Sequence, residues 1–148
     1  MSGMKTCIAF LLIALLLPGT AGCKKDKKVY PTYPPPGWEK QPDGKYPYSM
    51  TAVLRLPNDL GAGYKENDEL AAFIGEECRS VAVPVDVEGA RLFYFLIQGA
   101  AVENERIVFK YYSSGSSYMY ASDPIIEFKA DGNYGTADQP WTLVLKHL

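Results

Sequence analysis

The chain has 148 residues, of which 47% are apolar, enough for one ordinary hydrophobic core and too little for two comfortable ones. Its 15 Lys and Arg against 17 Asp and Glu give a formal net charge of −2, with a pI near 5.4. That balance supplies no basic face of the kind nucleic acid requires, so nucleic acid is not an expected partner.

In chain order, residues 1–22 are expected to be a signal peptide. Lys5 gives a short positive start, and the apolar run from Cys7 to Leu17 is too short to span a bilayer, which needs roughly 20 residues. Pro18 ends the run, and Gly19-Thr20-Ala21-Gly22 puts small residues directly before Cys23. This pattern resembles the lipobox of bacterial lipoproteins, with Thr20 where Leu is usual. The resemblance implies that Cys23 becomes the lipidated first residue of the mature chain and anchors it in the membrane; ordinary secretory cleavage nearby, leaving a free Cys, is the alternative. Residues 23–37 carry four lysines and then Tyr30-Pro31-Thr32-Tyr33-Pro34-Pro35-Pro36. They read as a basic, proline-rich tether, drawn to anionic headgroups and extended as polyproline II, with a Pro-rich recognition peptide as the sharper alternative. The expected location is the cell envelope, as an outer-membrane lipoprotein. Basic rather than acidic residues after Cys23 leave the periplasmic and surface-facing orientations both open.

The remaining residues, 38–148, show short apolar runs divided by turn residues and no helical period. Met50, Ala52, Leu54 and Leu56 alternate before Pro57-Asn58 stops the strand. Residues 67–85 read as a β-hairpin in the middle of the domain: Leu70, Ala72 and Ile74 on one face, Gly75-Glu76-Glu77 as the turn, and a valine-rich return from Cys78. Arg91 to Gln98 has apolar residues on both faces, as in a central strand covered on both sides. Ile107, Phe109 and Tyr111 share a face, Ser113-Ser114-Gly115-Ser116-Ser117 is a hairpin loop, Ile126 and Phe128 mark a further strand, and Trp141, Leu143 and Leu145 mark the last. The expected fold is all-β, an immunoglobulin-like two-sheet antiparallel sandwich of about seven to eight strands.

The hairpin also carries a resemblance. Asp68, the strand ending Ala71-Ala72-Phe73, a Gly-containing turn and then Cys78-Arg79 resemble a domain of secreted and lipid-anchored proteins of the Bacteroidetes, in which Gly usually follows the Cys-Arg pair and Ser80 follows it here. The resemblance implies a sandwich-like fold and no particular activity.

The residues needed for catalysis are scarce. His147 is the only histidine and sits next to the C-terminus, where an imidazole is poorly held against a nucleophile or second ligand, so surface placement is expected. No Gly-x-Ser-x-Gly elbow or phosphate-cradling glycine loop occurs. The carboxylate pairs Asp68/Glu69, Glu76/Glu77 and Glu103/Glu105 are explained equally well by solubility. No enzyme activity, cofactor or metal is therefore expected. The oxygen-rich turns at Asn58-Asp59, Asn67-Asp68 and Asp131-Gly132-Asn133 suit turn chemistry as well as calcium. Cys78 lacks an intramolecular partner and is expected to be buried as a small apolar residue. Arg79 is expected to pair with Asp68 as a structural clamp.

Aromatic residues are the most suggestive feature. Tyr111 alternates inward, which leaves Tyr112 outward, where Tyr118 and Tyr120 would join it if the hairpin register allowed. Exposed tyrosines on a rigid sheet suit stacking on sugar rings, whereas cross-strand pairing would merely stabilise the hairpin. The expectation is a lipid-anchored, non-catalytic envelope binding module with a polysaccharide or an envelope protein as partner. Glycan binding through Tyr112, Tyr118 and Tyr120 is the specific version, and protein recognition by strand addition at a sheet edge is the alternative.

Overall fold

The computed structural model describes residues 28–148, so the expected signal peptide, Cys23 and the first lysines of the tether lie outside the described residues. Two sheets face one another. The first contains β1 (Tyr48–Arg55), β4 (Val83–Val87), β5 (Ala90–Gly99) and two short strands, β9 (Asn133–Tyr134) and β10 (Trp141–Thr142). The second contains β2 (Glu69–Ile74), β3 (Glu77–Val81), β6 (Glu103–Ser113), β7 (Tyr118–Ser122), β8 (Ile126–Lys129) and β11 (Leu145–His147). A four-residue helix, α1 (Asn58–Gly61), lies between β1 and β2.

The order is β10-β1-β5-β4 in one sheet and β11-β7-β6-β2-β3 in the other, with β9 also on β1 and β8 also on β6. The expected two-sheet sandwich is the architecture observed, antiparallel except that β9 and β10 run parallel to β1. Alternation is what builds it, because a strand with one apolar face must bury that face against another layer. Met50, Ala52 and Leu54 stand opposite Ile97, Phe95 and Phe93 in the first sheet. They meet Leu70, Ala72, Ile107, Phe109 and Tyr111 of the second in one core. Phe95 and Phe109 join the layers edge to face, 5.2 Å between centroids, and burying each such side chain stabilises the fold by roughly 1.5–3 kcal/mol.

Three expectations need correction. The β2–β3 hairpin forms with Gly75 at φ +60° in its turn, but β3 is the last strand of its sheet rather than an interior one. Strand β5 is covered on its outer face only in part: Leu92 and Gln98 are buried there, but Leu96 is 55% exposed. The expected last strand is two pieces, because the chain crosses from the first sheet to the second at Leu143, which is buried between them while its amide donates to the Arg55 carbonyl.

The tether is corrected as well. Residues 30–41 lie against the sandwich as a strap, so the boundary expected at Trp38 divides one continuous packed segment.

Candidate functional site

The strap is held at points along its length. Tyr30 stacks on His147 with centroids 3.4 Å apart and rings 8° from parallel, and the Tyr33 amide donates to the Ser117 carbonyl at 2.8 Å. Gly37 takes φ +57°, a left-handed conformation that costs a side-chain-bearing residue roughly 1–2 kcal/mol. It aims two successive amides at one carboxylate: Gly37 N–H and Trp38 N–H donate to the two oxygens of Glu69 at 3.0 and 2.8 Å. Trp38 then packs edge-on against Phe73, over a small outer-face cluster of Ala71, Phe73 and Cys78. Finally the Gln41 amide donates to the Cys78 carbonyl, covering part of the β3 edge.

This strap overturns the exposed tyrosine platform. Tyr112 does point outward, but only 2% of it is exposed, and Pro35 of the strap lies across the cleft it lines. The register puts Met119 opposite Tyr112, and Tyr120 and Tyr118 opposite Tyr111 and Ser113. Tyr118 and Tyr120 therefore share the inner face with Tyr111, where Tyr120 is buried and Tyr118 half-buried against the core. Three coplanar exposed rings do not exist.

The Asp68–Arg79 clamp is also corrected, because each residue anchors a different end of the sandwich. Asp68 Oδ1 accepts from the Ser114 amide and hydroxyl at 2.7 and 2.6 Å. Its Oδ2 accepts from the Tyr111 hydroxyl at 2.5 Å and the Lys65 amide at 2.9 Å. Burial alone would raise the Asp68 pKa, but the bonds from Ser114, Tyr111 and the amides outweigh it and hold the carboxyl below its ordinary value. Burial and the adjacent carboxylate push the Tyr111 phenol far up.

Arg79 is the extra residue of a β-bulge, since Cys78 stands opposite Phe73 but Ser80 opposite Ala72. The bulge turns its guanidinium toward the other sheet, where Nη1 donates to the Gln98 carbonyl at 3.2 Å. The Glu77 carboxylate lies 3.1 Å from Nε without hydrogen-bond alignment, and Glu105 lies 3.8 Å from Nη2. The Tyr46 ring stacks 3.7 Å from the guanidinium carbon. Asp68 lies four residues along β2 from the point opposite Ser80, roughly 13 Å at strand rise.

Cys78 is buried, as expected, and burial raises its pKa, which suits an inert thiol. His147 departs from the expected bystander. It is half-buried, stacked on Tyr30 and 4.3 Å from the Tyr120 ring, with no nucleophile or carboxylate among these neighbours. Desolvation, then the charge of Lys28, lowers its pKa below 6.5.

A histidine whose folded pKa is depressed binds protons more readily when unfolded, so it stabilises the fold above the unfolded value. That contribution is lost as pH falls from about 6.5 toward the lower folded value. Thermal stability is therefore expected to drop between about pH 7.5 and 5.5, and His147→Phe to remove the part of the slope due to this group. An unchanged slope in the variant, followed by calorimetry across that range, would refute the assignment.

The surface left open lies on the other sheet. Strand β4 ends the first sheet with no strand beyond it among the described residues. Val83 and Val85 stand opposite Tyr94 and Leu92 of β5, and Leu96 and Tyr94 stand opposite Thr51 and Val53 of β1. These side chains share the outer face. Val83, Val85 and Leu96 are 60, 39 and 55% exposed, forming an apolar stripe on β4 and β5 beside a free edge, while Leu92 and Val53 of the same face are buried. Single exposed apolar residues need no explanation, but a contiguous stripe on a rigid sheet marks a contact surface. Val83 and Val85 were expected in the return strand of the 67–85 hairpin, but β3 ends at Val81 and they belong to β4 of the other sheet; no binding role was expected of them or of Leu96. The near-continuous apolar run of β5 was the available signal, and it was read as burial on both faces.

Among the described residues, no group of three or more His, Cys, Asp or Glu is arranged to hold a metal ion, and no helix is long and apolar enough to cross a membrane. Compared with known proteins, the chain matches no family model, no curated protein and no solved structure.

Proposed function

We propose that the chain is a lipid-anchored, non-catalytic binding module of the bacterial envelope that recognises a protein partner through the free edge and outer face of its first sheet. The signal-peptide pattern, the small residues before Cys23 and the following lysines support the anchor. The observation that carries the binding surface is the exposed stripe of Val83, Val85 and Leu96 beside the unpaired edge of β4. An extended partner segment adds backbone hydrogen bonds at that edge while its side chains rest on the stripe. Pro84 lacks an N–H and limits which register such a segment can take, which favours a specific partner over indiscriminate edge pairing. Glycan capture by the tyrosines loses its physical basis with Tyr112 and Tyr120 buried.

Photo-crosslinking in native membranes tests this reading, with the reactive group at Val85 or Leu96 and, as control, at Lys129 of the other sheet. A discrete protein adduct is expected from the first two positions and not from Lys129, and Leu96→Lys is expected to abolish the Val85 adduct. No adduct at either position, together with glycan-array binding insensitive to Leu96→Lys, would overturn it in favour of carbohydrate.

A further inference from the structure

We propose that the outer face of the second sheet is a recognition groove for an extended, proline- and tyrosine-rich peptide, and that residues 33–38 occupy it as a built-in competitor, with Tyr30 anchored beyond it at the end of the sheet. This site is distinct from the first-sheet edge and does not depend on it. The strap is bound in the manner of a ligand. Residues 28–42 form no strand, and Pro34-Pro35-Pro36 offers no N–H groups with which to extend a ladder. The segment sits on the sheet as a ligand rather than as part of it.

Its contacts combine aromatic packing with a few directed bonds to the strap backbone, two of the means by which aromatic-lined surfaces hold polyproline II peptides. Trp38 meets Phe73 on the outer face, and Tyr30 meets His147 and Tyr118, whose side chains belong to the inner-face register at the end of the sheet. The strap amides reach only the Ser117 carbonyl, the Cys78 carbonyl and the Glu69 carboxylate.

The groove is also larger than its present occupant. An open cleft of about 650 Å³ remains between Pro35 and a wall that includes Glu66, Asn67, Tyr112, Ser114 and Ser117. Tyr112, only 2% exposed, forms part of that wall beneath the strap. The strap bridges this space without filling it. A partner peptide that keeps the backbone contacts and also fills the cleft would bind better than the strap does. The strap lowers the apparent affinity of any such peptide by the fraction of time the groove is closed.

The probe is a fluorescein-labelled peptide with the sequence of residues 28–41, titrated by anisotropy against the full chain. Gly37→Val disfavours the left-handed turn that directs two amides at Glu69, which loosens the strap and leaves the sheet untouched. It is expected to strengthen binding of the peptide about tenfold over the natural chain, and hydrogen exchange should show faster opening at Tyr33 and Trp38. Adding Glu69→Ala is expected to remove the gain, and a peptide with Pro34, Pro35 and Pro36 replaced by Ser is expected to bind neither chain. Equal affinity for all three chains would overturn the proposal, as would no binding to a Gly37→Val chain whose strap is shown to be open. A strap that stays fully protected in Gly37→Val would overturn it too, because the groove would then not release its own segment.

Discussion

Asp68→Ala is expected to destabilise the chain by about 3–5 kcal/mol, several donors being left without an acceptor at roughly 1–3 kcal/mol each. The carboxylate gathers the Tyr111 hydroxyl, the Lys65 amide and both donors of Ser114. It thereby ties the loop before β2, the end of β6 and the serine hairpin into one node. Against a total stability of about 5–15 kcal/mol for a domain of this kind, that loss is large. Asp68→Asn is the informative companion. Its remaining oxygen can serve both donors of Ser114 and its amide can donate to the Tyr111 hydroxyl, which leaves the Lys65 amide unserved and obliges the Tyr111 O–H to turn to another acceptor. Less than half the loss is expected.

The pH dependence follows from the same bonds. Asp68 is held below its ordinary value in the fold, so its contribution is present above the unfolded value near 3.8 and is lost as pH falls through the lower folded one. Urea unfolding of the three proteins at neutral pH decides the matter, and a loss under about 1 kcal/mol for Asp68→Ala would show that water replaces the carboxylate without penalty.

Arg79→Ala is expected to cost about 3–5 kcal/mol, since it strips the cation from two carboxylates and a carbonyl at a buried position. The guanidinium is only 8% exposed and lies beside Glu77, Glu105 and the Gln98 carbonyl, under the Tyr46 ring. Arg79→Lys keeps the charge but neither the fork nor the stacking plane, and should recover less than half of the loss. A double-mutant cycle separates this arrangement from a direct clamp. Asp68→Ala and Arg79→Ala are expected to add within about 0.5 kcal/mol, whereas Arg79→Ala and Glu77→Ala should couple by more than that. Coupling between Asp68 and Arg79 above about 1 kcal/mol would contradict the observed separation.

These two residues show where sequence reading succeeds and where it stops. Both were singled out, and both are buried, because a charged residue on the core parity of a strand must be satisfied wherever it lands. Their partners were not legible. The bulge at Arg79 shifts the pairing by one residue, and no local signal in Glu77-Cys78-Arg79-Ser80 announces it. The tyrosines fail for a related reason. Alternation correctly sent Tyr111 inward and Tyr112 outward, but the pairing of Tyr111 with Tyr120 depends on how the five-residue serine loop folds. The cover over Tyr112 comes from residues more than 70 positions away in the chain.

Period-two alternation in Met50 to Leu54, Leu70 to Ile74 and Ile107 to Tyr111, with Gly75 and the serine loop as turns, was enough to specify an all-β chain of two packed layers. Such patterns report a local periodicity that the pleat converts directly into an inside and an outside. Tertiary contacts alone decided which outside faces stay open. The strap closes one sheet because Glu69 offers two oxygens to the amides of Gly37 and Trp38, whereas the outer face of the other sheet is covered at Leu92, Val53 and Gln98 and leaves Val83, Val85 and Leu96 in solvent. Exposure is a property of what lies above a residue, and what lies above it is set by contacts between segments far apart in sequence, which no window of neighbouring residues contains.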